Sequence, residues 1–369
     1  MHSLTLTVKV KLYPTPEQIP ALSETLSAVR DARNFASSYV FEHHITNYPK
    51  LHLALYYMIR EQFGLRSQMT QSTLKAVLAK YRSVESSGRP FTRISFSRYE
   101  YDLVWKRDYS VKGENISINT LSGRCQIAFE SSGMERCLSL GGHFGTAKLI
   151  HKNSKWFLYI PVTMEVEEPG APVQIVGIDL GVNQLAVTYD SNGKSVFYSG
   201  RQIKQKRARM LLLRKRLQAR GTKSAKRKLK KLREKESCYA AAVNHAVTKA
   251  LISQYGAGTL YVLEDLTGVR GATEQVSLKK RPVTVSWAFY QFRKFLEYKA
   301  ELSGSKVITV DPAYTSQECP ICGHRSRENR NRKKHEFCCR RCGCRSNDDR
   351  IGAMNLWKRG DAALLTEVC

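Results

Sequence analysis

Leu4, Leu6, Val8, Val10 and Leu12 place an apolar side chain at every second position, and Tyr13-Pro14 closes the run. A period of two predicts one half-buried strand over residues 1–12. The period then lengthens. Across residues 16–84 apolar positions recur at helical spacing, as in LSETLSAVRDARNFASSYVF, with Pro16-Glu17 opening the first helix. A later helical stretch, MTQSTLKAVLAKYRS, stops at the turn SSGRP. From Phe91 short alternating runs return: FTRISFSRYEYDLVW, ENISINT, RCQIAFE and KWFLYIPVTMEVE, split by Gly, Asn and Ser. They predict an antiparallel β-domain, and EEPGAP at 167–172 reads as a linker.

Beyond it, VQIVGIDLG is a mostly apolar strand that ends in Asp179 and a glycine turn. LAVTYD and KSVFYS follow, joined by Ser-Asn-Gly, a strong hairpin signal. Two long basic helices joined near Gly221 come next, and residues 240–254 continue helical. TLYVLEDL then reads as a buried strand, WAFYQFRKFLEYKAEL as an amphipathic helix, KVITVDP as a strand and RIGAMNLWKR as a helix. The order βββ–α–β–α–β–α belongs to an α/β layer following an α+β half.

Charge sharpens this picture. The 369 residues carry 60 Lys and Arg against 32 Asp and Glu, a net +28. Neither solubility nor a membrane-surface patch requires such an excess, whereas a polyanion releases counterions for every phosphate neutralised. Between Arg201 and Lys235 there are seventeen Lys or Arg and a single acid, with Met210, Leu213 and Leu217 at helical spacing. A solvated helix face mixes signs; this one faces phosphate, and Lys226, Arg227, Lys230 and Lys231 are its candidate contacts. No apolar run approaches the ~18 residues of a membrane span, and no apolar core of a signal peptide follows Met1. A soluble cytosolic protein is expected, whose clustered cysteines point to metal rather than disulfide.

Those cysteines lie in ECPICGHRSRENRNRKKHEFCCRRCGC. Cys319-Pro-Ile-Cys322-Gly and Cys339-Arg-Arg-Cys342-Gly stand sixteen residues apart, within zinc-ribbon spacing. Gly323 and Gly343 follow the second cysteine of each pair, where the backbone must turn back and positive φ is cheap. Cys338 and Cys344 have no partner at that spacing. Cys319, Cys322, Cys339 and Cys342 are therefore the expected ligands of one structural zinc, in preference to a redox dithiol.

Three acids stand where a carboxylate is expensive unless paired or bound to metal. Asp179 closes one apolar strand, Glu264 closes another, and Asp349 precedes a helix. One such acid is better read as a cap or a salt bridge, but three suggest a cluster for divalent cations acting on a phosphodiester. Glu264 shares a strand face with Val262 while Asp265 faces the other way. The period alone does not choose between Asp348 and Asp349.

These residues resemble the TnpB family of transposon-encoded RNA-guided DNA endonucleases, relatives of the compact type V CRISPR effectors. The likeness runs nearly end to end. VKLYPTPEQ and VRDARNFASSYVF resemble the family's opening, GIDLGVNQLAV its first RuvC motif, VLEDLTGV its second, and EYKAELSGSKVITVDPAYTSQECPICG its approach to the ribbon. The third motif, usually D-R-D-x-N-A-A-x-N, is similar to Asn347-Asp348-Asp349-Arg350-Ile351-Gly352-Ala353-Met354-Asn355. Alignment on Asn355 puts the third carboxylate at Asp349 and leaves Asp348 to cap the helix or face solvent. The sequence departs from the motif at Asn347 and at Ile351-Gly352, which bears on how that helix packs.

The resemblance implies a multidomain α+β fold. Residues 1–12 and 86–168 would form a β-barrel wedge domain, and 13–85 a helical recognition insert. Residues 173–314 and 346–360 would form an RNase H-like (RuvC) nuclease domain with basic helices 201–254 inserted, 315–345 a zinc ribbon, and 361–369 a tail. It also implies a magnesium-dependent triad of Asp179, Glu264 and Asp349 holding two ions, with manganese as a substitute. The implied partners are an omega-type guide RNA and double-stranded target DNA bearing a short adjacent motif, in a bacterial or archaeal cytosol. Gln68, Gln71 and Lys75 are candidates for reading that motif, with ordinary helix surface as the plain alternative. A monomer is favoured. The competing functions are a non-catalytic zinc-ribbon regulator, against which the intact triad speaks, and a strand-joining transposase.

Overall fold

The computed structural model describes residues 1–131, 133–139, 141–265 and 289–367. The first residues of the expected helix WAFYQF and the final two of the expected tail lie outside these. The chain divides into two compact units, Met1–Glu165 and Val166–Cys369.

In the first unit the opening strand β1 (His2–Tyr13) leads into three helices, α1 (Gln18–His43), α2 (Tyr48–Phe63) and α3 (Ser67–Ser86). Leu22, Leu26, Val29, Ala32, Ala36 and Val40 of α1 are buried, as are Leu51, Leu55 and Ile59 of α2 and Leu74, Val77 and Tyr81 of α3. Each set repeats every three or four residues, which places one apolar stripe per helix. Asn47 caps α2 by accepting from the Lys50 N–H, and Gly64 ends it at φ 65°.

Strands β2 (Glu100–Leu103), β3 (Tyr109–Lys112), β4 (Asn115–Thr120) and β5 (Gly123–Glu130) follow. A short helix, α4 (Met134–Ser139), then precedes β6 (His143–Phe144), β7 (Ala147–Lys152) and β8 (Lys155–Val166). The sheet runs β2-β7-β8-β1-β5-β4-β3, with β6 on β8. Its end strands β2 and β3 are consecutive in the chain and are joined by a Trp105–Tyr109 bridge, so the sheet is nearly closed.

One expected strand is missing. Residues 91–98 alternate in sequence but join no ladder. Helix side chains satisfy their backbone instead. Asn34 donates to the Phe96 carbonyl at 3.0 Å and accepts from its N–H at 2.8 Å, and Ser37 donates to the Ile94 carbonyl at 2.6 Å. An extended segment paired this way has no need of a neighbouring strand.

The second unit opens with β9 (Gln174–Asp179), β10 (Gln184–Asp190) and β11 (Ser195–Ser199). Helices α5 (Arg201–Arg220) and α6 (Lys223–Tyr255) turn at Gly221, φ 63°, and Thr222 caps α6 on the Ala225 N–H. Then come β12 (Thr259–Glu264), α7 (Phe289–Glu301) and β13 (Lys306–Val310). The sheet order is β11-β10-β9-β12-β13; the first three strands are antiparallel, and β9, β12 and β13 are parallel. A small sheet of β14 (Arg330–Asn331), β15 (Glu336–Cys338) and β16 (Arg345–Asn347) precedes α8 (Asp348–Glu367).

Val176, Ile178, Tyr261, Leu263, Leu251, Phe292 and Leu296 form the core on one face of the five-stranded sheet, and Ile175, Leu260, Val262 and Leu356 pack on the other. Helix α8 extends past residue 360, so the expected tail from residue 361 is helical to Glu367. Leu364 packs against the second core cluster, which gives that extension an apolar contact to keep. No helix among the described residues is long and apolar enough to cross a membrane.

Candidate active site and metal centres

Glycine sets how close α8 comes to the sheet. A Cβ on Gly177 in β9 would lie 2.2 Å from the Ala353 carbonyl and 2.5 Å from the Trp357 nitrogen. A Cβ on Gly360 would lie 2.3 Å from Val262 Cγ2. The backbone of α8 thus rests directly on β9 and β12, a contact only a missing side chain permits. Its first turn arrives at the carboxyl ends of those strands. There a Cβ on Gly352 would be 3.0 Å from Asp179 Cγ. The Ile351-Gly352 departure from the third motif finds its reason here: Gly352 lies over Asp179, and Ile351 is buried in the ribbon core with Cys319, Phe337 and Cys339.

Asp179 lies within the fields of both Glu264 and Asp349 at this point. Burial, then the charges of Glu264 and Asp349, push the Asp179 carboxyl well above the usual carboxylate range, against the opposing Arg330. Burial also raises Glu264, while the Thr315 hydroxyl, Arg359 and Arg330 favour its charged form. Asp349 is raised by burial and by Asp348, and His335, Arg330 and Lys204 pull it back. Crowded carboxylates that resist ionisation are a donor set suited to divalent cations, which would relieve the repulsion. The chemistry of the residues fits magnesium.

The surrounding chain fixes these groups. Thr315 Oγ1 donates to Glu264 Oε1 at 2.5 Å. Asn355 on α8 donates to the Thr315 carbonyl at 2.7 Å and the Glu318 carbonyl at 2.9 Å, and Arg359, one turn further on, reaches the carbonyls of Asp311 and Ala313. Two side chains of one helix face therefore hold the segment that aims Thr315. Neither Thr315 nor Arg330 was singled out by sequence reasoning. Both act through partners 18 to 51 residues away, and no local period reports such contacts.

Asp348 differs from expectation. It is fully buried rather than facing solvent. The helix start is capped chiefly by Asn347, whose Oδ1 accepts from the N–H groups of Asp349 at 3.0 Å and Arg350 at 3.2 Å. Asp349 lies inside the first turn, not one position ahead of it. Asp265, the decoy beside Glu264, pairs instead with Arg293 at 3.7 Å.

The sulfur atoms of Cys319, Cys322, Cys339 and Cys342 gather within 4.8 Å of one another. Cys319 Sγ lies 3.5 Å from Cys342 Sγ, and Cys322 Sγ lies 3.6 Å from Cys339 Sγ. A tetrahedral zinc with bonds of about 2.3 Å asks for edges of about 3.8 Å, whereas a disulfide needs about 2.05 Å. The four cysteines fit a metal. Gly323 and Gly343 have φ 70° and 73°, and each donates to the carbonyl of the first cysteine of its pair at 2.9 Å. Although burial pushes the Cys339 thiol up, N–H groups of Cys342 and Arg341 draw it down to about 6. Cys338 lies in β15 outside the cluster, and Cys344 packs against the ribbon core.

Lys226, Arg227, Lys230 and Lys231 are all exposed on α6, beyond the seam where Leu217, Ala225 and Leu232 join it to α5. In the first unit Gln68, Gln71 and Lys75 share one face of α3 at helical spacing. Gln68 accepts from Arg107 at 2.9 Å, and the Lys75 ammonium lies 5.4 Å from the centre of the Tyr48 ring.

Two family models match the chain: "Probable transposase" over residues 159–268 and "Cas12f1-like, TNB domain" over residues 289–356. A CRISPR-associated endodeoxyribonuclease Cas12f1 of Sulfoacidibacillus thermotolerans is 30% identical over 241 residues, 60% of this chain and 55% of that protein. The putative RNA-guided DNA endonuclease InsQ of Escherichia coli K12 is 32% identical over 228 residues, 57% of this chain and 55% of that protein. The chain thus spans about half the length of these curated relatives. The structure of a mini-RNA-guided endonuclease, CRISPR-Cas phi3, superposes with a TM-score of 0.50 at 12% identity over 97% of this chain and 92% of that one, which establishes a shared α+β fold. Matches thus lie across the strand-end carboxylates and the cysteine ribbon, and a TnpB-like protein of Methanocaldococcus jannaschii is 34% identical over 116 residues, 31% of this chain and 41% of that protein.

Proposed function

We propose that this protein is an RNA-guided DNA endonuclease that hydrolyses a phosphodiester at Asp179, Glu264 and Asp349. The observation that carries the reading is the buried Asp179 carboxyl at the end of β9, which feels the charges of both Glu264 at the end of β12 and Asp349 at the start of α8. The strand order of the second unit supports an RNase H-like layer, and the four-cysteine cluster supports one structural zinc on Cys319, Cys322, Cys339 and Cys342.

The three carboxylates would hold two magnesium ions, or manganese in their place. When bound, such ions activate water on one side of the phosphate and stabilise the leaving oxygen on the other. Thr315 fixes the rotamer of Glu264, and Arg330 presents a guanidinium 3.8 Å from Asp349 Oδ1, where its fork could meet a phosphate. The α5–α6 hairpin supplies phosphate contacts to a guide RNA or its heteroduplex, so that base pairing rather than side chains reads the target. The first unit serves as wedge (residues 1–12 and 86–168) and recognition insert (13–85), with Gln68, Gln71 and Lys75 facing the adjacent motif on duplex DNA.

The test is cleavage of a guide-matched plasmid by protein purified with its co-expressed RNA, beside a gel shift on the same duplex. Alanine at Asp179, Glu264 or Asp349 is expected to abolish magnesium-dependent cutting and leave the shift in place. Cutting by Asp179→Ala at the wild-type rate would overturn the proposal, and covalently joined strands among the products would favour a transposase.

A further inference from the structure

Asp348 is a carboxylic side chain with no access to solvent, one residue from a proposed metal ligand. Its two oxygens are both committed. Oδ2 accepts from Arg330 Nε at 2.7 Å. Oδ1 meets His335 Nδ1 at 3.3 Å and accepts from the Asp349 N–H at 3.0 Å. Arg330 is held at three points as a result: Nε on Asp348, Nη1 on Ser316 Oγ at 2.8 Å, and Nη2 facing Asp349 Oδ1 at 3.8 Å. His335 is held on its far side by Asn183, with 2.6 Å between Nε2 and Nδ2. Its own carbonyl receives the Asp348 N–H at 3.3 Å and the Asn347 amide at 3.2 Å.

A buried carboxylate persists when it is paired, and removal of one partner leaves the other's charge uncompensated. The pairing here does more than satisfy Asp348. Arginine has long rotamer freedom, and its planar fork is useful only when its plane is fixed. With Nε tied back and Nη1 on Ser316, the remaining edge of the guanidinium has one direction left, towards Asp349. We infer that Asp348 is a positioning residue, whose carboxylate orients Arg330 beside the Asp349 end of the carboxylate cluster. This rests on the nuclease reading of that cluster.

A rival assignment exists on the same atoms. His335, Asp348 and Asp349 offer ligand atoms within 4.8 Å of one another, a spacing a metal ion could use. The commitments of Asp348 argue against it: Oδ2 is paired with Arg330 at 2.7 Å and Oδ1 already accepts from the Asp349 N–H at 3.0 Å, so a cation would compete for an oxygen in use.

The experiment uses the full chain with its co-purified RNA. Asp348→Asn keeps the shape and removes the charge; zinc content and target gel shift serve as checks on the fold. The Arg330 Nε–H resonance, assigned by its loss in Arg330→Lys, is expected to be protected from exchange in the wild type and unprotected in Asp348→Asn. Single-turnover cleavage at saturating magnesium should fall about ten- to a hundred-fold in Asp348→Asn, with target affinity unchanged. On an Arg330→Ala background, Asp348→Asn should change the rate less than about two-fold, because the residue it positions is gone. Manganese binding followed by electron paramagnetic resonance should match the wild type. Weakened manganese binding would make Asp348 a ligand and overturn the inference, as would rate losses that multiply across the two sites or an unaltered rate in Asp348→Asn. If the wild type does not cut at all, the nuclease reading fails separately, and the Nε–H signal still decides whether Asp348 holds Arg330.

Discussion

Thr315 has little to offer except its hydroxyl: it is 3% exposed, and that hydroxyl lies 2.5 Å from Glu264 Oε1. Thr315→Val keeps the branched shape and deletes the donor, so Glu264 loses the bond that favours its charged form. Cleavage is expected to drop by about ten-fold and to need more magnesium, whereas Thr315→Ser should stay near wild type. A valine variant with an unchanged magnesium titration would make Thr315 a packing residue. The same reasoning separates the cysteines. Cys339→Ser removes a member of the four-sulfur cluster and should lower zinc content, while Cys338→Ser, outside it, should leave zinc at about one per chain. Equal losses would mean that the wrong one of two adjacent thiols has been assigned. At this scale the places of Asp179 and Glu264 at strand ends were legible, because the apolar runs VQIVGID and TLYVLE stop at them. Asp348 was not. Its surroundings are made by Arg330 and His335, which reach it only after the ribbon folds.

At the scale of elements, the hairpin of α5 and α6 shows how a charge run can keep its shape. Its seam is narrow: Leu217, Ala225 and Leu232 are buried, with Met210 and Leu229 beside them. Few apolar contacts oppose the mutual repulsion of its cations, and the Arg214–Glu236 ion pair crosses it. A polyanion lying along it would relieve that repulsion. Replacement of Lys226, Arg227, Lys230 and Lys231 by alanine should therefore weaken RNA binding and lower the slope of log K against log salt by up to about 3. An unchanged slope would make this surface an ordinary solvated face. The helices, their break at Gly221 and the Ser-Asn-Gly hairpin were readable because each depends on a local rule of period or turn chemistry. Residues 91–98 and 361–367 were misread for a common reason. Alternation does not create a strand when Asn34 and Ser37 take the backbone bonds, and a helix does not stop where the motif stops if Leu364 still finds apolar contact.

Across the whole molecule a chain with net charge +28 gathers carboxylates at one point of its second unit. That concentration has a thermodynamic consequence that can be measured without any nucleic acid. The Asp179 carboxyl is held well above the usual carboxylate range by burial and by the charges of Glu264 and Asp349. A carboxyl raised in the folded state keeps its proton there at pH values where the unfolded chain has already released it. Stability is then unaffected below the unfolded value of about 3.9 and falls as pH climbs from there towards the raised value. A side-chain amide cannot ionise, so Asp179→Asn escapes that fall. In magnesium-free buffer that leaves the zinc in place, the melting temperatures of the two proteins should converge near pH 4 and separate as pH rises, with the variant more stable by about 2–4 °C at pH 7. Magnesium should reverse the order. A bound cation stabilises the native state in proportion to its affinity, and the variant has one carboxylate fewer to hold it. Wild type should therefore gain more on titration with magnesium, and it should gain less as pH is lowered, since protons compete for the same oxygens. A variant that melts below wild type in magnesium-free buffer at pH 7 would show that Asp179 is stabilised by its surroundings rather than strained by them. The carboxylates would then be a structural ion-pair network, and the cluster would have no claim on a metal.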